Sequence, residues 1–425
     1  MTRDTTLAAA PAGAAPTTPL LDRSDERFKV EAGVAGALRT FVDRVRAGDL
    51  GSLPVIVGLA VIWSIFQSIN PIFLSSANLI NMLFDASTIG VISLGIVCIL
   101  MVGEIDLSVG SVSGFASAVV GVLWVQKGWP VGAAVLVAVA AGALVGGVYA
   151  TLFNRFGMPS FVSTLAGLLA ILGAQLFLLG GTGSINLPYE SALVDLGQSL
   201  FMPALVAYGV VALAGGLMLF TGLRTAARRR AAGLSPESLQ RLLLRTAVFT
   251  VGLEAIAVYF YQDRGIPWLF GIFVGLVVAL DYLLTRTQWG RMIAAVGGNR
   301  EAARRAGIPV KRVYASVFVM CASLAAFGGV LAAARLASAS QQAGTGDVNL
   351  NAIAAAVIGG TSLFGGRGSA YSALLGILVI QSISSGLTLL DLSSSLRYMI
   401  TGAVLAVAVI VDSLARQSRV SHGRA

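Results

Sequence analysis

The feature that most constrains this chain is a series of apolar stretches, each of spanning or near-spanning length, that follow one another along most of its length. The twelve stretches cover residues 54–69, 86–103, 109–126, 130–153, 161–179, 203–222, 246–262, 266–284, 313–334, 351–366, 369–389 and 397–413. Those at 54–69, 246–262 and 351–366 are short, so one or two of them are expected to be re-entrant segments. Of the 425 residues 56% are hydrophobic and only 12% are charged. The sequence therefore predicts an all-α polytopic membrane protein with about 10–12 transmembrane helices.

Basic residues are unevenly distributed between the loops. If the N-terminus lies inside, 25 of the 29 Lys and Arg residues fall on inside segments. The four that remain outside are Lys127, Arg264, Arg335 and Arg397. This bias predicts that both termini are cytoplasmic. It also accounts for the pI of about 10.0 through membrane orientation, so nucleic acid is not an expected partner.

The ends of the chain differ in composition from the transmembrane domain at 50–413. Residues 1–26 read as a disordered cytoplasmic tail without a signal peptide, and 414–425 as a second cytoplasmic tail. Apolar residues recur at helical spacing in 27–49: Val30, Val34, Leu38, Phe41 and Val45. This pattern predicts an amphipathic helix on the lipid surface, or a partly ordered linker because Gly33 and Gly36 weaken the helix.

Several kinds of chemistry are excluded by composition. Cys98 and Cys321 lie in apolar stretches, and the single histidine, His422, lies in the polar C-terminal tail. A disulfide framework, a histidine-based zinc site and a Ser-His-Asp triad are therefore not expected. No lysine follows a glycine, which excludes the phosphate-binding P-loop of an ATPase. The sequence predicts no catalytic residue, metal or cofactor.

The first interruption of the apolar pattern, at 103–110, places Glu104 and Asp106 between two strongly apolar stretches. Asp106 or Ser108 is suited to capping the helix that follows, which begins near Gly110. Two readings stay open for this acidic break. It is either a hinge or polar patch on a substrate path, or a structural cap at the cytoplasmic edge of the membrane.

The second interruption is a glycine-rich loop at 359–369, and it predicts a tight turn between closely packed helices. Its candidate hinge or pathway residues are Gly359, Gly360, Thr361, Gly365, Gly366 and Arg367. Pairs of glycines four residues apart elsewhere predict close helix packing: Gly110/Gly114, Gly142/Gly146 and Gly271/Gly275. Within the stretch at 246–262, Glu254 is either a pathway group or a bundle-facing acid.

Two longer basic segments interrupt the apolar pattern, an insertion at 223–245 and a loop at 285–312. In the loop, Asn299 is a fitting N-cap for a short helix that Gly307 and Pro309 would end. The loop either only fixes topology or carries a helix that docks into a groove of a partner.

These residues carry a resemblance to a known family. Glu301-Ala302-Ala303-x-x-x-Gly307, preceded by Gly298 and Asn299, resembles the coupling-helix motif of bacterial ATP-binding-cassette importer permeases. The acidic break and the glycine-rich loop are similar to hallmark stretches of the ribose/xylose/galactose branch of that group. The extended N-terminus and the insertion at 223–245 resemble the xylose-transport members of the branch. One departure is that the Ile-x-Leu-Pro continuation of the coupling motif is missing, with Ile308-Pro309 in its vicinity.

The resemblance implies a transport subunit of the cytoplasmic membrane, not an enzyme. Its implied partners are an ATPase subunit, a periplasmic or lipid-tethered sugar-binding protein and a second permease copy. The coupling motif would contact the ATPase, and the acidic break and glycine-rich loop would form hinges or the path. The alternative is a proton-coupled sugar porter, which also suits twelve spans. That class usually carries an Arg-rich loop after its second span, where this chain has Glu-Ile-Asp-Leu-Ser.

Overall fold

The computed structural model describes residues 53–410, except 235, 237, 394, 397, 404, 405 and 407–409. The two tails and the amphipathic helix predicted at 27–49 lie outside the described residues. Among the described residues, nine helices are long and apolar enough to cross a membrane, and two further apolar helices are shorter. The prediction of an all-α polytopic membrane protein is confirmed.

Eleven of the twelve predicted stretches contain a helix, and the twelfth, 397–413, is only partly described. The helices, in chain order, are α1 Leu53–Ile69, α2 Ser76–Met101, α3 Val109–Val120 (continued by a π-helical turn, Gly121–Gln126), α4 Val131–Phe156, α5 Ser160–Leu179, α6 Ala192–Gln198, α7 Ala204–Ala231, α8 Leu239–Phe260, α9 Trp268–Arg286, α10 Gln288–Gly298, α11 Arg300–Arg305, α12 Val310–Leu336, α13 Val348–Ile358 and α14 Ala370–Leu389. Two short strands, β1 Ser184–Asn186 and β2 Ser338–Ser340, pair antiparallel.

The three short stretches have different outcomes. The stretch at 54–69 belongs to α1, an apolar helix of 17 residues that is shorter than the nine spanning ones. The stretch at 246–262 belongs to α8, which has 22 residues and is long enough to span. The stretch at 351–366 contains all but the first three residues of α13, and the 11 residues of this helix extend for about 16 Å, roughly half of a 30 Å hydrocarbon core. Its remainder, from Gly359 onward, is not helical. α13 is therefore a half-length helix, as expected of a re-entrant segment.

Residues 205–257 form one compact unit, which holds most of α7 and α8. The two helices approach each other at glycines, because a side chain at Gly215 would collide with Thr250 and one at Gly222 with Leu242. Much of the basic insertion at 223–245 is helical, since it supplies the last turns of α7 and the first of α8. Glu254 lies within α8 and is half-buried.

The other unit comprises residues 53–204 and 258–410, and α2 and α12 form its centre. α12 packs most extensively on α4, α2 and α3. The predicted pair Gly142/Gly146 packs on this helix, because a methyl group at Gly146 would lie 2.5 Å from the Phe318 carbonyl oxygen. The pair Gly271/Gly275 is different, since a methyl group at Gly275 would have no neighbouring atom within 4 Å among the described residues outside its own helix.

Candidate functional site

The basic loop at 285–312, named the coupling loop after the motif that it carries, folds into two consecutive short helices, α10 and α11. The Asn299 side-chain oxygen caps α11 by accepting a hydrogen bond from the Ala302 backbone N–H at 2.9 Å. Gly307, with a φ of 82°, allows the left-handed turn that follows the helix. The predicted N-cap and helix end are both observed.

The short helix α11 presents charged side chains to solvent. Glu301 accepts hydrogen bonds from Arg304 Nη2 at 2.8 Å and from Arg305 Nε at 3.3 Å. The bond from Arg304 is the main reason that the pKa of Glu301 lies below its ordinary value, and the pKa of Arg304 is raised in turn. Ala303 is only 4% exposed and faces the body of the protein. The exposed surface of α11 is therefore charged and locally cross-linked.

Aromatic residues hold α10 and α11 against the ends of α4 and α12. The Arg300 guanidinium carbon lies 5.3 Å from the Tyr314 ring centroid and 5.6 Å from that of Phe153, within cation–π range. The Trp289 indole N–H donates to the Ser316 hydroxyl at 2.8 Å. The coupling loop is thus fixed to two long helices.

Glycines of three sequence motifs meet at the end of α10. A methyl group at Gly297 would collide with the Met101 carbonyl oxygen and lie 2.6 Å from the Gly366 nitrogen. The Gly366 N–H itself donates to the Met101 carbonyl at 2.9 Å. A methyl group at Gly365 would lie 3.0 Å from the Gly103 nitrogen. This glycine junction (Met101, Gly103, Gly297, Gly365 and Gly366) joins the coupling loop, the acidic break and the glycine-rich loop.

Within the glycine-rich loop, the backbone turns back on itself. The Ser362 N–H donates to the Arg367 carbonyl at 3.0 Å, and Thr361 is wholly buried. A side chain at Gly359 would collide with the Ser372 carbonyl of α14. The predicted tight turn between closely packed helices is observed.

The acidic break begins at the glycine junction and extends into the protein. Near its start, the Ser160 hydroxyl donates to Glu104 Oε2. Further along, Asp106 is wholly buried, and its Oδ2 lies 3.9 Å from the Cys321 sulfur. Cys321 is the twelfth of the 27 residues of α12, about 17 Å from the start of that helix. Asp106 therefore lies at the depth of the middle of a spanning helix.

The prediction that Asp106 or Ser108 caps α3 is wrong. Ser108 is the N-cap residue, but its side chain makes no capping hydrogen bond. Asp106 Oδ1 accepts hydrogen bonds from the Ser108 N–H and hydroxyl, both at 2.7 Å. Both donors belong to the residue before the helix, so Asp106 does not cap a helical N–H group. The Gly110 N–H in the first turn donates instead to Asn349 Oδ1 of α13.

Asn349, the second residue of α13, and the turn segment at 341–347 that precedes this helix were not predicted from the sequence. This segment connects β2 to α13 and lies against α3, since side chains at Gly110 and Gly114 would collide with the carbonyls of Gly344 and Ala343. The predicted glycine pair of α3 therefore packs on a turn and not on a helix. A polar residue at the second position of the apolar helix α13 was the signal available for Asn349.

One buried amide of α5 holds the start of the turn segment. Gln175 Nε2 donates to the carbonyls of Ser340 at 2.9 Å and Ala343 at 3.0 Å. Because irregular backbone at membrane depth needs partners from within the protein, Gln175 helps to stabilise the turn segment in its position beside α3.

No group of three or more His, Cys, Asp or Glu residues that could hold a metal ion occurs in the part of the chain that the structure describes. The arrangement instead combines broken membrane segments with a charged loop at the surface. These features define the class as a polytopic membrane protein built for transport.

The comparisons with known proteins identify the family. A family profile described as "Branched-chain amino acid transport system / permease component" matches residues 78–409, so the chain belongs to this family of transport permeases. The chain is 35% identical to the xylose transport system permease protein of Escherichia coli K12 over 351 residues, which are 81% of this chain and 87% of that protein. It is 31% identical to the xylose transport system permease protein of Haemophilus influenzae over 373 residues, covering 87% and 98% of the two chains.

A third relative is the ribose import permease protein of Escherichia coli K12, 29% identical over 363 residues, which are 84% of this chain and 92% of that protein. No solved structure matches the chain. The resemblance that the three motifs carry is thus confirmed at the level of the family, whose members are transport subunits and not enzymes.

Proposed function

We propose that this chain is the membrane-spanning permease subunit of an ATP-binding-cassette importer that moves a monosaccharide across the cytoplasmic membrane. The glycine junction is the observation that carries the proposal. It brings the exposed coupling loop into backbone contact with the acidic break and the glycine-rich loop. A movement imposed on α10 by a partner would therefore act directly on both interruptions.

The proposed substrate is xylose or a related pentose or hexose. The relatives named for xylose and ribose match over four-fifths or more of the chain, at 29–35% identity. The family description refers to branched-chain amino acids, but the relatives named above favour a sugar. A permease of this kind needs no tight sugar site, because affinity can reside in a separate binding protein.

The exposed surface of α11 is the proposed contact with an ATPase subunit, in which ATP binding would favour one conformation over the other. The residues assigned to ATPase coupling are Gly298, Asn299, Glu301, Ala302, Ala303 and Gly307. Ala303 is buried, so its part is to seat α11 on the permease. The residues assigned to the hinge or pathway are Glu104, Asp106, Ser108, Gly110, Gly359, Gly360, Thr361, Gly365, Gly366 and Arg367.

The proposed assembly contains two permease copies, two ATPase subunits and a sugar-binding protein on the outer face. Membrane lipid surrounds the exposed apolar helices, and both termini are cytoplasmic, as the distribution of Lys and Arg predicts. The alternative, a proton-coupled sugar porter, would not require an exposed helix of the α11 type at a junction of broken segments.

Sugar uptake under two energy conditions tests the proposal. Labelled xylose and ribose are offered to cells that express the chain with its ATPase and sugar-binding partners. In one arm ATP is depleted while the membrane potential is kept, and in the other a protonophore is added while ATP is kept. We expect uptake to be lost only when ATP is depleted. Loss only with the protonophore would overturn the proposal in favour of the porter.

A further inference from the structure

Two non-helical segments meet inside the membrane-spanning part of the protein. The acidic break reaches the depth of Cys321 from the glycine junction, and the turn segment at 341–347 follows β2 from the opposite end of α12. Both are irregular backbone at membrane depth, which is tolerated only where the protein itself supplies hydrogen-bond partners or a cavity.

The side chain of Asn349, at the start of α13 directly after the turn segment, connects this helix to the acidic break and to the first turn of α3. Its Nδ2 donates to the Leu107 carbonyl at 2.6 Å, and its Oδ1 accepts from the Gly110 N–H. The Gly110 N–H belongs to the first turn of α3, where backbone N–H groups have no partner within the helix. The neighbouring Ser108 does not supply a partner, because its side chain makes no capping hydrogen bond.

The backbones around this bridge are in close contact. The Gly344 carbonyl lies where a side chain at Gly110 would be, so no side chain separates the two segments there. An amide is a neutral side-chain group that can donate to the carbonyl with its nitrogen and accept from the N–H with its oxygen. The bridge therefore joins the acidic break to the start of α13, where the helical structure of both parts of the chain is interrupted.

We propose that Asn349 is a positioning residue for transport, a latch that holds the acidic break and α13 together in the resting state and releases them when the substrate path opens. This inference rests on the proposed transport function. Loss of the latch favours the separated arrangement, so that the ATPase is activated without the sugar-binding protein and less sugar is moved for each ATP hydrolysed.

The test uses the complete transporter, with its ATPase partner, reconstituted in proteoliposomes. Asn349→Leu removes both hydrogen bonds and keeps the branched shape, whereas Asn349→Asp keeps an acceptor for the Gly110 N–H and replaces the amide donor to Leu107 by a carboxyl oxygen. The matched control is Asn351→Leu, since Asn351 also lies on α13 but donates to Asp347, one turn away on the same segment, at 2.9 Å. ATP hydrolysis and sugar uptake are measured with and without the sugar-binding protein.

We expect Asn349→Leu to raise ATP hydrolysis without the binding protein by about 5- to 150-fold, the usual range of a conformational coupling, while uptake falls. Asn349→Asp should show a smaller change in the same direction, and it serves as the test variant if the leucine variant does not accumulate in the membrane. Asn351→Leu should keep the wild-type ratio of uptake to hydrolysis.

A distance measurement reports the latch independently of activity. Spin labels are placed at two exposed positions, Lys127→Cys at the end of α3 and Gln342→Cys in the turn segment. The native Cys98 and Cys321 are wholly buried, so the introduced cysteines are the sites that react. We expect Asn349→Leu without ATP to give the distance distribution that the wild type shows only when ATP is bound.

Two results would overturn the latch. One is a wild-type ratio of uptake to hydrolysis and wild-type distances in both Asn349 variants, and the other is an equal change in Asn351→Leu. Failure of the proposed function gives a separate result, because the wild-type transporter would then show no ATP-dependent uptake in the same proteoliposomes.

Discussion

At the scale of single residues, Gly297 and Gly298 show how differently two adjacent glycines can contribute. Gly297 faces the Met101 carbonyl and the Gly366 nitrogen, and both of these neighbours are backbone atoms that cannot rotate away. Gly298 has no heavy atom within 4 Å of the position that a methyl group would occupy. Only the first glycine is therefore required by packing.

We predict that Gly297→Ala destabilises the protein by about 1–3 kcal/mol, as is usual when an added group is forced into a packed site. Gly298→Ala is the matched control for stability and should be close to wild type. The measurement is the midpoint of thermal unfolding of the purified permease in detergent. A midpoint for Gly297→Ala equal to that of Gly298→Ala would contradict the packing of the glycine junction.

The two asparagines that support the candidate site differ in how far the sequence could predict them. Asn299 was predictable because an N-cap bonds within its own helix, three residues along the chain. Asn349 bonds to Leu107 and Gly110, which lie 242 and 239 residues away, and no local pattern encodes such a pairing. Distance along the chain also explains the wrong prediction that Ser108 caps α3, because the Gly110 N–H bonds instead to Asn349.

At the scale of elements, α11 depends on charge complementarity within six residues. Glu301 lies in the first turn, where the helix dipole favours an acid, and Arg304 and Arg305 lie in the last turn, where it favours bases. The three hydrogen bonds from Arg304 and Arg305 favour the charged carboxylate of Glu301, so its pKa is lowered and it is ionised at neutral pH. The exposed surface of this helix is thus preorganised.

We predict that Glu301→Lys abolishes sugar uptake while the protein still inserts in the membrane. The substitution removes both arginine contacts and places a fourth positive charge on α11, beside Arg300, Arg304 and Arg305. Glu190→Lys, at an exposed position far along the chain from α11, is the control for charge reversal. Membrane content is measured by immunoblot and uptake with labelled sugar, and normal uptake by Glu301→Lys would rule out the coupling role.

Helix α13 shows the limit of hydropathy as a guide to element boundaries. The apolar stretch at 351–366 continues past the end of the helix at Ile358, because Leu363 and Phe364 are as apolar as the helix itself. Glycine marks the end of the helix, but glycine is also frequent inside the packed helices of this chain. The turn at 359–369 was predictable from its glycines, whereas the helix length depends on contacts with α14 and the glycine junction.

At the scale of the whole molecule, the distribution of Lys and Arg along the sequence predicts the orientation of the protein in the membrane. Helix packing alone does not determine this orientation. Lys127 follows the π-helical turn of α3, and Arg291 lies on α10 in the coupling loop. Both side chains are exposed, and the predicted topology places them on opposite sides of the membrane.

We predict that a membrane-impermeant maleimide labels Lys127→Cys in intact cells and labels Arg291→Cys only after the inner membrane is opened. The buried Cys98 and Cys321 provide a background that does not react, which the unsubstituted protein checks. Labelling of Arg291→Cys in intact cells would show that the coupling loop is outside and that both termini are not cytoplasmic.

The bridge from Asn349 to Leu107 has a consequence for biogenesis. Its two ends are 242 residues apart, so at about 5–20 residues per second the ribosome needs about 10–50 s to supply Asn349 after Leu107 has entered the membrane. During that interval the first turn of α3 and the buried Asp106 are in place without α13. We therefore expect the insertion machinery to shelter these polar groups until α13 has been synthesised.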